Sequence, residues 1–363
     1  MDELDAGFAY PPRPVDFTRK YSADSILVKE VNWLGDLVMS LPALRTVRRA
    51  YPLARVSILV KASLTGFFDG FDWINEVIPY PDTAKNLTQK FNIVRNLRSR
   101  HFDLAVLFPN SFESALWVML GGIPRRAGFA TDARGFMLTD SAIPEPRVLS
   151  GHQSGYWLSM VQATLGINVE QSAWDKLEVS KRHLNKMHEW LLQHRLRKGS
   201  PLIAIAPVAA YGPAKEWPAS SYASLIDQLA NSFDAECIIV GASAEAPRCQ
   251  ELAAACRSRP LIAAGEINLG ELIALLSLCD GFAGNDSGAM HLAGSLAIPT
   301  AGIFGSTNPN RTHALGPKVR SLINRLPCNP CLARTCRFGH YNCLKAISPA
   351  EVVSALLQLG ALG

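Results

Sequence analysis

Short apolar runs alternate along this chain with longer stretches whose apolar side chains recur every three to four positions. Residues 25–29, 55–61, 75–79 and 102–108 read as strands. Residues 37–50, 86–100 and 114–120 read as amphipathic helices, the second with Phe91, Val94 and Leu97 along one side. Two short segments at 123–129 and 136–139, joined by a turn, and a helix at 154–165 complete the first half. A less regular connector at 168–178 leads to a charged helix at 181–198, whose His183, His188 and His194 are expected to be solvated. The alternation then restarts. Strands at 202–206, 236–241, 261–263, 281–284 and 300–304 interleave with helices at 221–232, 247–256, 269–279 and 289–296. A closing helix at 349–359 has Ser348 as its N-cap and Pro349 in its first position.

Strands and helices alternating at this pitch predict βαβ units and a mostly parallel sheet, formed twice. The expected chain is α/β, with two Rossmann-like domains. An irregular arm covers 1–22 and the first domain 23–180. A linker helix follows at 181–200, then the second domain at 201–345 and a C-terminal helix at 346–363. Ligands of such sheets sit beyond the carboxyl ends of the strands. Five loops follow strands, at 31–36, 109–111, 207–215, 284–287 and 304–307, and would converge if the halves face one another across a cleft.

Composition adds modest constraints. A chain of 363 residues suits two cores better than one. Its 36 basic and 31 acidic residues leave a charge of +5, which suits an anionic partner. No apolar run is long enough to span a membrane, and residues 1–20 lack the pattern of a signal peptide, so a cytoplasmic protein is expected. Aromatics interleaved with basic residues, helix-turn-helix spacing and zinc-finger spacing are all missing, so no nucleic-acid partner is expected.

The candidate chemistry lies in the loops. In the segment from Gly284 to His291, Ser287 and Gly288 open a helix and offer N–H groups to a phosphate. Asp286 beside them could cap the helix or bind a sugar hydroxyl, and His291 could be a core histidine or a ligand contact. Lys215, in a Gly-Pro loop beside Tyr211, could be a solvated lysine or could neutralise a departing diphosphate, with Trp217 and Pro218 as a packed anchor. Asp36, after Gly35, could be an N-cap or a general base. Arg45, Arg48, Arg49, Arg95, Arg98, Arg100, Arg125, Arg126 and Arg134 all fall in the first half, forming either a solvated face or a basic surface for an anionic acceptor or acidic leaflet. Cys328, Cys331, Cys336 and Cys343 could hold a structural zinc, stay free, or form a redox-labile pair. A Walker loop, a GxGxxG after the first strand and any Asp-x-Asp are absent, which argues against a P-loop enzyme, NAD use and the usual metal grip on a nucleotide sugar.

Taken in order, the stretches NWLGDLVMSLPALRTVRRAYP, GIPRRAGF, RGFMLT, APVAAYGPAKEWP, NDSGAMHLAGSL, FGSTNP and CNPCLARTCRFGHYNCLKAI resemble the heptosyltransferases of lipopolysaccharide inner-core assembly (glycosyltransferase family 9), most closely the type II enzymes. The resemblance runs from residue 32 to the C-terminal helix. It implies the GT-B fold and inverting transfer of L-glycero-D-manno-heptose from ADP-heptose to the first heptose of the inner core, without a required metal. It implies Asp36 as the base and Lys215 as the group that holds the leaving diphosphate. Asp286 would contact the donor sugar, Ser287 and Gly288 its phosphates, and Tyr211 and His291 would stand close by. Acceptor contacts are expected from Asn32, Asn110, Arg125, Arg126 and Arg134 on a basic first domain. A monomer making transient contact with the inner leaflet of the inner membrane, at its cytoplasmic face, is implied. Val208 stands where the family usually has glycine, and Leu34 where it usually has isoleucine. Other readings are a type I heptosyltransferase or another family member with a different acceptor, a nucleotide-sugar 2-epimerase, and a non-catalytic nucleotide-sugar-binding protein.

Overall fold

The computed structural model describes residues 22–83, 86–167, 174–195 and 199–362. Residues 1–21 of the expected arm, 168–173 of the connector and 196–198 of the linker lie outside the described residues. The chain divides into two compact units, Met1–Asp175 and Lys176–Gly363.

In the first unit the described elements are β1 (Ser25–Lys29), α1 (Leu34–Ala50), β2 (Arg55–Lys61), β3 (Glu76–Tyr80), α2 (Leu87–Arg98), β4 (Leu104–Leu107), α3 (Phe112–Leu120), β5 (Arg125–Phe129), β6 (Asp140–Ala142), α4 (Pro146–Ser150) and α5 (Gln153–Leu165). All six strands are parallel, in the order β3-β2-β1-β4-β5-β6. Strands buried on both faces read as near-continuous apolar runs, which is why β1 and β2 stand out in the sequence. One side of the sheet builds its core from Leu27, Leu59, Leu107, Ala115, Val118 and Met137. On α2 the inward residues are Ile93 and Leu97, and Phe91 is 64% exposed. The expected stripe through Phe91 is therefore rotated toward Ile93.

The second unit contains α6 (Lys181–His194), β7 (Leu202–Ala206), α7 (Ala219–Phe233), β8 (Glu236–Ile239), α8 (Ala246–Ala255), β9 (Leu261–Ile262), α9 (Leu269–Ser277), β10 (Gly281–Asn285), α10 (Gly288–Ser295), β11 (Thr300–Phe304), α11 (Pro309–Thr312), β12 (Val319–Ile323), α12 (Asn342–Lys345) and α13 (Pro349–Gln358). Its strands are also parallel, in the order β12-β11-β10-β7-β8-β9. Counted from β7 this is the same 3-2-1-4-5-6 order as in the first unit, the order of dinucleotide-binding sheets. Two Rossmann-type units in one chain are what a GT-B fold is made of. Helix α6 packs on α9, where Lys186 meets Glu271 at 2.5 Å. His183 is buried there, against the expectation of a solvated ring, while His188 is exposed. Helix α13 packs on α7, β10 and β11, and its Ser348–Glu351 capping box fixes the start that the sequence indicates. No helix among the described residues is long and apolar enough to cross a membrane.

One side chain ties the centre of the second sheet to its loops. Asn285, at the end of β10, is fully buried. Its Oδ1 accepts from the Trp217 backbone N–H and the Tyr222 hydroxyl, each at 2.9 Å, and its Nδ2 donates to the Pro207 carbonyl at 2.7 Å. Trp217 in turn donates its indole N–H to Ile347 and packs edge-on against Tyr222. Asn285→Leu keeps the volume, orphans the buried Trp217 N–H and Pro207 carbonyl, and leaves the Tyr222 hydroxyl only the Ala206 carbonyl at 3.3 Å. It is expected to cost about 3 kcal/mol and to lower the thermal unfolding midpoint by roughly 6–12 °C, read by calorimetry. An unchanged midpoint contradicts this role.

Candidate active site

Each sheet has its order reversal between two central strands, β1 and β4 in the first unit and β7 and β10 in the second. The loops beyond the carboxyl ends of those strands are where such sheets bind ligands.

In the first unit, Trp33 is the N-cap of α1 and Asp36 is the third helical residue. Asp36 is thus not the cap. It lies half-buried in the first turn, where the helix dipole favours a negative charge. The preceding strand ends at Lys29 and is followed by Glu30, two ionisable residues with almost no exposure, at 2% and 0%. Burial lowers Lys29 to about 7 and raises Glu30 to about 7. Lys29 Nζ donates to the Glu30 carbonyl at 2.5 Å and to the Tyr80 hydroxyl at 3.0 Å. That hydroxyl donates to Asn32 Oδ1 at 2.5 Å, so the Asn32 amide beside Asp36 is held in one orientation. Glu30 Oε2 accepts from the Val31 N–H and the Ser40 hydroxyl, both at 3.1 Å, and its Oε1 has no partner. Neither Lys29 nor Glu30 stood out as a site residue in the sequence, where Lys29 read as the end of a strand and Glu30 drew no reading.

Asn110, beyond β4, exchanges hydrogen bonds with the Tyr156 hydroxyl, at 2.7 and 3.0 Å. The arginines expected to line an acceptor surface are placed otherwise. Arg134 has no exposure and donates to the carbonyls of Phe129 (2.9 Å) and Pro109, tying the ends of β5 and β4 together. Arg125 and Arg126 begin β5, opposite Leu104 and Ala105. They stand at the amino edge of the sheet, on the order of 13 Å from its carboxyl edge at ~3.3 Å per residue. Arg126 is occupied by the carbonyls of Met137, Ile123 and Pro124. Arg45 pairs with Asp175, Arg48 holds the carbonyls of Tyr51 and Ala54, and Arg55 and Arg100 share Glu76. The first unit is not basic: its sequence carries 18 basic and 18 acidic residues, against 18 and 13 in the second. The whole surplus of +5 lies in the second unit.

The second unit gathers its expected donor residues around one carboxylate. Asp286 is 3% exposed. Its Oδ2 receives Lys215 Nζ at 2.6 Å and the Thr307 hydroxyl at 2.6 Å, and Oδ1 faces His291 Nε2 at 3.8 Å. Burial alone would raise its pKa, but His291 and Lys215 together hold it below the ordinary aspartate range. Ser287 is the N-cap of α10 and Gly288 its first residue, where backbone N–H groups have no partner within the helix. The Ser287 hydroxyl, the Ser306 hydroxyl and His291 Nδ1 are buried without a hydrogen-bond partner. Buried polar atoms are rarely left unpaired unless a ligand or water completes them. Thr307 and Ser306 belong to a loop that the sequence marked only as following a strand.

Lys215 ends a short turn at Pro213–Lys215. Tyr211 lies alongside, its ring 4.9 Å from Lys215 Nζ and 5.2 Å from the Arg334 guanidinium carbon. The segment bearing Arg334 is fastened to this loop. Ala214 N–H donates to the Arg334 carbonyl at 3.0 Å, the Tyr211 hydroxyl to the Leu332 carbonyl at 2.6 Å, and Leu332 N–H to Ser306 at 2.8 Å. Gly212 permits the approach: its φ is 138°, and a Cβ there would lie 2.7 Å from the Arg334 carbonyl oxygen. Val208, half-buried, packs on the core of the second unit. Cys328, Cys331, Cys336 and Cys343 of the same segment are free thiols lining one cavity with His340. Among the described residues, no three His, Cys, Asp or Glu side chains stand in the geometry of a metal site.

The buried pair in the first unit gives a test in pH. Folded, Glu30 keeps its proton up to about 7, whereas an unfolded glutamate loses it near ~4.3. Between those values the folded state binds more protons, so stability falls as pH rises. Lys29 acts in the next window: folded it is neutral above about 7, unfolded it stays charged to ~10.4, and stability there rises with pH. Glu30→Gln preserves the acceptor for Val31 and Ser40 and removes the first window. The thermal midpoint of the variant is expected to stay level from about pH 4.5 to 7, where that of the unsubstituted chain declines. Parallel profiles for the two proteins contradict the buried, proton-holding state of Glu30.

Known proteins of the same build were compared next. The sequence pattern of glycosyltransferase family 9 (heptosyltransferase) matches residues 90–342, a stretch that begins after Asp36. Lipopolysaccharide heptosyltransferase 2 of Salmonella typhimurium is 28% identical over 352 residues, covering 92% of this chain and 98% of the relative. The solved structure of Escherichia coli ADP-heptose lps heptosyltransferase II superposes with a TM-score of 0.79 at 26% identity, covering 92% of this chain and 98% of the other. A glycosyl transferase family 9 structure from Veillonella parvula reaches 0.83 at 19% identity, over 96% and 99%, which speaks for the fold alone. The chain belongs to glycosyltransferase family 9, the heptosyltransferases.

Proposed function

We propose that this protein transfers L-glycero-D-manno-heptose from ADP-heptose to the first heptose of the lipopolysaccharide inner core, with inversion. The observation that carries the donor side is the cluster of Lys215, Asp286, Thr307 and His291 at the start of α10, ringed by unpartnered hydroxyls of Ser287 and Ser306. Buried donors converging on a helix N-terminus suit a diphosphate. Asp286 Oδ2 is taken by Lys215 and Thr307, which leaves Oδ1 for a hydroxyl of the donor sugar. Near-complete coverage of the heptosyltransferase 2 relatives supports the type II acceptor.

In the reaction the acceptor hydroxyl oxygen bonds to the anomeric carbon as the bond from that carbon to the diphosphate oxygen breaks. The hydroxyl proton passes to Asp36. ADP leaves with the bonding electron pair, its charge met by Lys215 and the α10 N–H groups of Ser287 and Gly288. Asn32, its carbonyl oxygen held by Tyr80, keeps an amide N–H group for the acceptor, and Asn110 offers a second polar contact. With Arg125, Arg126 and Arg134 engaged elsewhere, recognition of the acceptor rests on such neutral groups. The lipid-anchored acceptor places the enzyme in the cytoplasm, working as a monomer in transient contact with the inner membrane. Any metal in this reading is structural: a zinc would be held by Cys328, Cys331, Cys336 and Cys343, which line one cavity.

Purified protein incubated with ADP-heptose and a core acceptor bearing one heptose is expected to add one heptose, read by mass. Product only on an acceptor lacking heptose overturns the type II assignment in favour of type I. Asp36→Asn is expected to bind ADP-heptose almost normally and to lose transfer by about a thousandfold. Loss of donor binding instead refutes Asp36 as the base. For the cysteines, four titratable thiols and no zinc are expected in protein purified without added metal, read by thiol titration and elemental analysis. One zinc per chain would instead assign them a structural metal.

A further inference from the structure

The proposed donor site has an unbalanced charge. Lys215 lies 2.6 Å from Asp286, so the two nearly cancel before any ligand arrives. His291 is 4% exposed, and its Nε2 faces the same carboxylate. What remains positive is the start of α10, worth roughly half an elementary charge. A nucleoside diphosphate ester brings two negative charges, and the departing diphosphate brings more.

Of the neighbouring cations, Arg248 is bound through two nitrogens to Glu216, at 2.9 and 2.6 Å. Arg334 differs. Its side chain is exposed, it forms no ion pair among the described residues, and its guanidinium lies over the same Tyr211 ring as the Lys215 ammonium. Two cations on one ring repel one another, and an anion bridging them relieves the repulsion. The backbone holds Arg334 there. Its own carbonyl accepts from Ala214 N–H, the residue before Lys215, and Gly212 leaves room for the two chains to touch. Leu332, two residues earlier, is fastened to both Tyr211 and Ser306.

We infer that Arg334 is a second cation for the donor diphosphate, delivered by the cysteine-bearing segment and oriented by the Tyr211 ring. This rests on the reading of the second unit as the ADP-sugar site. Guanidinium forks bind phosphate oxygens in pairs, so Arg334 would grip the diphosphate while Lys215 stays matched to Asp286 until the leaving oxygen develops charge.

Binding of ADP and of AMP by calorimetry, at fixed salt, separates the possibilities. Arg334→Gln is expected to weaken ADP binding by about tenfold and AMP binding by less than about twofold, with an unchanged thermal midpoint. Arg334→Lys, which keeps the charge and loses the fork, is expected to fall between them. Tyr211→Phe, which keeps the ring, is expected to retain most of the affinity for ADP. Equal ADP affinity in the Arg334→Gln and unsubstituted proteins overturns the inference and leaves the donor-site reading standing. Equal losses for ADP and AMP with a lowered midpoint overturn it as well, by making Arg334 a support of the fold. If the unsubstituted protein binds no ADP, the donor-site reading falls and takes this inference with it.

Discussion

The second unit depends on the Asn285 amide. β10 and β7 are neighbours whose ladder stops at Gly284 and Ala206, so the sheet itself does not join the loops beyond them. Asn285 joins them by using both ends of its side chain, oxygen to Trp217 and Tyr222, nitrogen to Pro207. In a site without solvent, each of these groups is costly to leave unpaired, so the arrangement is close to all-or-none. Lys215 sits two residues before Trp217 and Asp286 one residue after Asn285. Their 2.6 Å ion pair is therefore set by the asparagine beneath it. The proposed donor-site side chains stand on the flank of a buried, neutral hydrogen-bond junction.

That junction changes how Asp286 is to be understood. Its neighbours in sequence suggest a cap or a hydroxyl ligand, and both readings assume an open carboxylate. The folded carboxylate is closed on one oxygen and nearly free on the other. An aspartate in this state serves first to hold Lys215 and Thr307 in place.

Much of the architecture was legible in the sequence, for a physical reason. β1, β2, β7 and β11 match their expected bounds because strands buried on both faces are unbroken apolar runs. β12, which the sequence reading missed, is an edge strand whose residues are only half-buried, and its Arg320 and Ser321 interrupt the run. Phe91 misled because a phenylalanine weighs heavily in any periodicity, although α2 turns Ile93 inward. Residues 71 positions apart, such as Lys215 and Asp286, carry no local sign that they pair. The arginines are a different case. Residues 123–129 carried no strand assignment in the sequence, so nothing there indicated that Arg125 and Arg126 begin β5, away from the carboxyl ends where such sheets bind ligands. The acidic residues interspersed among the arginines cancel the basic face that their number suggests.

The two units share a strand order and part company in electrostatics. The first brings 18 basic and 18 acidic residues, and its central strand closes on a lysine, with a glutamate directly after it, both of which burial drives toward neutrality. What it offers at the carboxyl edge is a fixed Asn32 amide, the Asn110–Tyr156 pair and the Asp36 carboxylate. Such groups suit sugar hydroxyls, which need directional partners and a proton acceptor but no countercharge. The second unit holds the entire surplus of positive charge, and it keeps buried donors unpaired at a helix start. Those features suit a phosphate, whose charge must be met and whose oxygens each take several donors. A glycosyl transfer needs both environments, and a single unit could not supply both well. With Asp36 as the proposed base and Lys215 as the proposed partner of the leaving diphosphate, a surplus of cations near the first would weaken a base and a neutral surround at the second would leave the diphosphate uncompensated. Duplicating one fold and charging only one copy meets both demands.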